Sequence, residues 1–119
     1  MPDKPWKAFE RRIAKSLGTE RTPLSGIASK HTRSDTLHPI LYVECKYRSR
    51  LAISDWYEQA DDRALTEDKM PVLALQKRGH HITLAVLSWH NFLLLWDTYR
   101  RAKATYGQLP NPPILEEEK

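Results

Sequence analysis

The sequence predicts an α/β domain in which a mixed β-sheet is flanked by helices. Three observations predict it. The chain opens with a segment of helical periodicity, β-branched and aromatic runs occupy its middle, and further helical segments separate and follow those runs. The resulting order is helix, strands, helix, strand, strand, helix.

The elements follow in turn. Residues 4–17 read as a helix, with Asp3 as cap and Pro5 in the first turn. Residues 18–34 are rich in Gly, Ser, Thr, Lys and Arg, and read as a loop with one short strand at most. Residues 40–47 (ILYVECKY) read as a strand. Residues 54–67 read as a helix capped by Ser54 or Asp55, the latter with Glu58 at capping-box spacing. Residues 71–76 and 81–87 read as two strands of a hairpin around Gly79. Ser88 caps a last helix running to about Lys103, with Trp89, Phe92, Leu93 and Trp96 on one face. That stripe is expected in the core, and its excess of aromatics also suits a dimer interface.

At 119 residues and 40% hydrophobic content, the chain fits one domain, assigned to 1–105. The remainder, 106–119, is proline-rich and acidic, and is expected to be extended or disordered. So short a chain buries a modest fraction of its surface, so a homodimer is expected. The formal net charge of +4 suggests a polyanionic partner. Cys45 is the single cysteine, which excludes an intrachain disulfide and an all-cysteine zinc site and suggests a reducing compartment. No apolar signal core opens the chain, and runs such as 92–96 are too short to span a bilayer. The protein is therefore read as soluble and cytoplasmic, without a membrane partner.

Chemistry concentrates in the strand at 40–47. Side chains alternate, so Leu41, Val43 and Cys45 share an apolar face, and Tyr42, Glu44 and Lys46 share the other. Glu44 beside Lys46 reads either as a surface ion pair on a half-exposed strand or as part of a site. Asp35 precedes the strand, and the bend at His38-Pro39 allows it to fold back beside Glu44. It is either a turn residue or the second member of a carboxylate pair, whose repulsion a divalent cation relieves. Hard oxygen ligands suit Mg²⁺ or Mn²⁺. On a wheel of roughly 100° per residue, Trp6, Phe9, Ile13, Ala14 and Leu17 of the first helix fall together, and Glu10 lands within their arc. A carboxylate facing a core must be paired, protonated or metal-bound. Two readings of Glu10 stand: an ion pair with a nearby Arg or Lys, or a role at a metal site.

Asp35 with Glu44-Cys45-Lys46 resembles the motif of the PD-(D/E)XK nuclease superfamily. The subgroup the chain looks most like is the archaeal and phage Holliday-junction resolvases. Those begin with a helix bearing a functional Glu, matched by Glu10, and continue with a Ser/Gly-containing basic loop, matched by RTPLSGIASK. The resemblance covers roughly residues 5–90 and implies a restriction-endonuclease-like core. The stand-alone nucleases of the VRR-NUC type share the motif. The alternatives are therefore a nicking, repair or restriction-type enzyme of the same fold, and a nucleic-acid-binding module that has lost catalysis. The resemblance implies that Asp35 and Glu44 hold Mg²⁺ with the backbone carbonyl of Cys45, that Glu10 contributes directly or through water, and that Lys46 orients the attacking water. The implied substrate is DNA, branched in the resolvase reading, in a prokaryotic cell or virus-infected host.

Candidate DNA contacts are Ser25, Gly26, Lys30 and Arg33 of the basic loop, Arg48 after the strand, Arg11 on the polar side of the first helix, and Gln59 of the second helix. Ser25 and Gln59 are named by resemblance. On the second helix, Ile53, Tyr57, Ala60 and Ala64 are expected to pack inward, with Trp56 at the edge. His80 and His81 are adjacent, so on a strand they point to opposite faces, and no zinc site is expected there.

Overall fold

A computed structural model describes residues 4–23 and 32–107. Helix α1 spans Pro5–Ser16, strand β1 Leu41–Arg48, helix α2 Ile53–Glu67, strand β2 Met70–Lys77, strand β3 Leu84–Val86 and helix α3 Trp89–Tyr106. The strands form a mixed sheet in the order β1-β2-β3, with β1 parallel to β2 and β2 antiparallel to β3. The parallel pair is joined through α2, as parallel strands require a crossover. Among the described residues, no helix is long and apolar enough to cross a membrane.

The sheet is covered on both faces. On one, Phe9 and Ile13 of α1 pack on Val43, Cys45 and Ala74. On the other, Ala60 and Ala64 of α2 lie against Tyr42, Leu73 and Leu75, with Ile53, Trp56 and Tyr57 around them. The two alanines let α2 approach the sheet closely, and the expected inward face of this helix is the observed one. Each fully buried Phe or Leu side chain stabilises the fold by about 1.5–3 kcal/mol. Because both faces are covered, four consecutive residues of β1, Tyr42 to Cys45, are buried. Glu44 retains 9% exposure. The half-exposed strand with a solvated Glu44–Lys46 pair is therefore not what forms.

The outer edge of β1 is not bare. The Asp35 amide donates to the Val43 carbonyl at 2.8 Å. The Ser34 hydroxyl accepts from the Val43 amide at 2.8 Å and donates to the Val43 carbonyl at 3.1 Å. Beyond it, Arg21 and Thr36 form an isolated antiparallel bridge, in which the Thr22 amide donates to Asp35 and the Leu37 amide to Glu20. The chain then turns at His38, whose Nδ1 accepts from the amides of Ile40 and Leu41. The bend expected at His38-Pro39 is thus built by the imidazole itself.

Four expectations are corrected. Lys4, not Asp3, occupies the N-cap position of α1, without a side-chain cap, and Pro5 begins the helix. Helix α2 starts one residue early, behind Ala52, so neither Ser54 nor Asp55 caps it. Asp55 instead lies in the first turn, where its charge complements the helix dipole. Strand β3 holds three residues rather than seven. Its pairing with β2 stops at Leu75, beyond which the Gln76 side chain donates to the His80 carbonyl and accepts from the Thr83 hydroxyl. Finally, the stripe Trp89, Phe92, Leu93, Trp96 is not core. Ser88 does cap α3, accepting from the Asn91 amide at 3.1 Å, but no residue of α3 is buried. Both sheet faces are already occupied by α1 and α2, and three-residue β3 offers no third one.

Ser34 is fully buried and satisfies both polar groups of Val43. Ser34→Ala leaves the buried Val43 amide without its partner, while the Val43 carbonyl keeps the Asp35 amide, and is expected to cost about 1–3 kcal/mol, read as a lower midpoint in urea unfolding. An unchanged midpoint contradicts the role given to this hydroxyl.

Candidate active site

Three segments of the chain meet at the outer edge of β1. Glu44 and Lys46 issue from the strand, Glu10 arrives from α1, and Asp35 lies on the segment docked along the edge. With Trp6, Phe9, Cys45, Tyr47 and Arg48 they line a cleft of about 270 Å³. The four residues named from sequence as catalytic therefore share one cavity.

Each is held by a named partner. Asp35 Oδ2 accepts the Cys45 amide at 2.7 Å. Glu10 Oε1 accepts from Arg21 Nε at 2.7 Å. Lys46 Nζ stands 3.4 Å from Glu44 Oε1 and 5.4 Å from the centre of the Trp56 ring. The Arg21 guanidinium is in turn 5.7 Å from the Trp6 ring. Glu10 thus forms the arginine pair of the first reading, and it also lines the cleft.

Crowded carboxylates show in their protonation. Burial, and next the charge of Glu44, push Asp35 up to about 7, although the Cys45 amide opposes this. Burial raises Glu10 as well, against the pull of Arg21. The buried Cys45 thiol is pushed well up, first by burial and then by Asp35. It is therefore no nucleophile at neutral pH. What Cys45 offers the cleft is backbone. Its amide points to the outer edge of β1, and strand alternation turns its carbonyl to the same edge.

These groups suit a hard divalent cation in chemistry. Asp35, Glu44 and the Cys45 carbonyl supply oxygen donors, and a cation would relieve the repulsion that raises Asp35. Among the described residues, no group of three acidic, cysteine or histidine side chains is placed to hold a metal ion. Mg²⁺ does not require one, since it keeps several waters and binds through one or two carboxylates plus a substrate phosphate.

No family model, curated protein or solved structure matches this chain. The site is read from its own geometry.

The proposed DNA contacts fare unevenly. Arg48 lines the cleft. Arg11 and Gln59 are exposed and do not line it. Arg33 is exposed too, and its amide donates to Glu67 of α2 at 3.1 Å, away from the cleft lining. Ser25, Gly26 and Lys30 lie outside the described residues. Sequence reasoning missed Ser34, which docks the Asp35 segment. It also missed Arg21 as the partner of Glu10, and Trp56 as the ring beside Lys46. Trp56 carried a signal, since a bulky aromatic at the edge of an inward helical face flanks whatever that strand face bears. Arg21 carried none, because its approach to Glu10 depends on the bridge with Thr36.

The unfolded Asp35 carboxyl titrates near 3.8 and the folded one near 7, so the folded state holds the proton more tightly between these values. Its contribution to stability is fully present below about pH 4 and is lost as pH rises through about 7. Asp35→Asn keeps the shape and the acceptor for the Cys45 amide. Without divalent cations, its gain in Tm over the natural chain should be small near pH 4 and grow towards pH 8. A gain independent of pH would show that Asp35 is not strained by ionisation.

Proposed function

We propose that this chain is a divalent-metal-dependent endonuclease that hydrolyses DNA phosphodiester bonds at the β1 edge. The observation that carries the reading is the meeting of Glu10, Asp35, Glu44 and Lys46, from separate segments, on one cleft beside the Cys45 backbone. A structural ion pair needs only two of these groups. With Glu10 paired to Arg21 and Glu44 to Lys46, Asp35 is the carboxylate left without a cation, its burial is costly, and a divalent ion with a phosphate would give the arrangement a purpose.

In this reading Asp35, Glu44 and the Cys45 carbonyl hold Mg²⁺ or Mn²⁺, and Glu10 reaches the site directly or through water. The cation supplies a Lewis acid that acidifies water and neutralises charge on the phosphate. Lys46 holds an ammonium at the mouth of the carboxylate pair. There it orients the attacking water and offsets charge developing on the phosphate. Trp56 and Glu44 fix the direction of that ammonium. Arg48 on the cleft lining binds a flanking phosphate. The restriction-endonuclease-like core implied by resemblance is favoured by the order α1, two bridged edge segments, β1, α2, β2.

The substrate is taken to be DNA in the cytoplasm of a prokaryotic cell or infected host, branched if the resolvase resemblance holds. Incubation with four-way-junction, flap, linear duplex and supercoiled plasmid DNA plus Mg²⁺ separates the alternatives. Symmetric cuts confined to the junction are expected. Cuts in linear duplex would indicate a nicking, repair or restriction-type enzyme of the same chemistry. Binding without cuts would indicate a module that has lost catalysis. Glu44→Gln and Lys46→Ala should each reduce the cleavage rate by roughly a hundredfold or more while the proteins remain folded. Undiminished cutting in EDTA would end the metal-dependent reading.

A further inference from the structure

Helix α3 is an 18-residue rod that buries nothing within its own protomer. It is anchored at its start, where the Ser88 amide donates to the Tyr57 hydroxyl of α2 at 2.9 Å. From there it runs on with Trp89 72%, Phe92 42%, Leu93 44%, Trp96 49% and Tyr99 48% exposed. At 150–250 Å² for a whole aromatic side chain, these open portions amount to on the order of 500 Å² of apolar surface on one face. A monomer rarely leaves so much exposed in one patch. A specific contact between proteins needs roughly 500 Å² from each partner, so this one helix is sufficient.

The spacing of the patch indicates what covers it. Positions 89, 92, 96, 99 and 103 recur at alternating steps of three and four, the spacing of a coiled-coil seam, with 93 and 100 on its flank. The seam changes character along its length: its first half is Trp89, Phe92 and Trp96, and its second half carries Tyr99, Arg100 and Lys103. An antiparallel copy centred on Trp96 brings Lys103 against Trp89, Arg100 against Phe92 and Tyr99 against Leu93. Lys103 then meets the Trp89 face, an attraction of about 0.5–2 kcal/mol in general, while Arg100, paired with Asp97 of its own helix at 2.5 Å, comes beside Phe92. A parallel copy would set Lys103 against Lys103 and Arg100 against Arg100. The seam is complementary to its own reverse, as a two-fold interface requires.

We propose that α3 is the homodimerisation element of this protein, pairing antiparallel with α3 of a second copy about a two-fold axis near Trp96. The pairing is independent of the nuclease reading, since it concerns neither the cleft nor its residues. Trp96 meets its own mate at the axis, so one substitution removes two anchors.

Sedimentation equilibrium of the full chain tests this. The natural chain should be dimeric at micromolar concentration. Trp96→Asp, at an exposed position, should keep its far-ultraviolet circular dichroism and weaken the dimer by at least a hundredfold, as loss of a central aromatic anchor does. Phe92→Asp should do the same. For direction, Trp89→Cys chains are mixed with Lys103→Cys chains under mild oxidation, with Cys45 buried and out of reach. A disulfide joining the two different chains is expected. A natural chain that stays monomeric, or a dimer that survives both aspartates, overturns the proposal. Disulfides joining only Trp89→Cys to itself overturn the antiparallel arrangement.

Discussion

The edge of β1 is the constraint on which the rest of the site depends. A strand edge left open exposes unpaired amides and carbonyls, and proteins must cover it. Here it is covered by a short segment that pairs through the Asp35 amide and, besides it, through side chains. The Ser34 hydroxyl satisfies both groups of Val43, and the Asp35 carboxylate takes the next available amide, that of Cys45. A regular neighbouring strand would have used backbone for both bonds and pointed its carboxylate elsewhere. Because Asp35 pairs with the strand through its side chain, its charge is fixed within the field of Glu44. The hydrogen bond that finishes the sheet is the one that creates the carboxylate pair.

That arrangement costs stability. Asp35 is pushed up to about 7, so near neutral pH ionising it in the folded state works against the fold. Glu10 is raised by burial even though Arg21 holds it. The protein carries this strain in a region with good scaffolding on both sides: Phe9 and Ile13 under one face, Ala60 and Ala64 under the other. Strain of this kind persists where surrounding packing overdetermines the geometry. It also sets the direction of any cation effect, since positive charge in the cleft lowers the cost of each nearby carboxylate at once.

Much of this was legible in the residues. Alternation along 41–46 separates Val43 and Cys45 from Glu44 and Lys46, and the period of the first helix puts Glu10 among Phe9 and Ile13. Both inferences rest on local geometry, which a single sequence carries. Three kinds of information were not legible. The docking of Ser34 and the approach of Arg21 to Glu10 depend on pairing between segments that lack strand-like composition. The shortness of β3 depends on Gln76 substituting its amide for backbone pairing, which composition cannot reveal. The exposure of α3 was misread because periodicity identifies an apolar stripe without naming the surface that covers it. Tallying the faces available would have helped. A three-stranded sheet has two, and the first two helices use both.

The surplus helix and the cleft sit at opposite ends of the same logic. The sheet runs β1-β2-β3, with the carboxylates gathered at the β1 edge and α3 departing after β3. The contact proposed through α3 would thus be made by the helix that follows β3 and not at the β1 edge. Had the apolar helix followed the β1 edge instead, a second copy would have closed the cavity that holds Glu44 and Lys46. Within one protomer no residue of α3 is buried, and its aromatic stripe stays largely in solvent. In the dimer proposed above two copies would share that surface, and the two-fold axis that pairs the helices would also duplicate the cleft. Under the proposed nuclease reading, two clefts per dimer would suit a substrate with two backbones to cut.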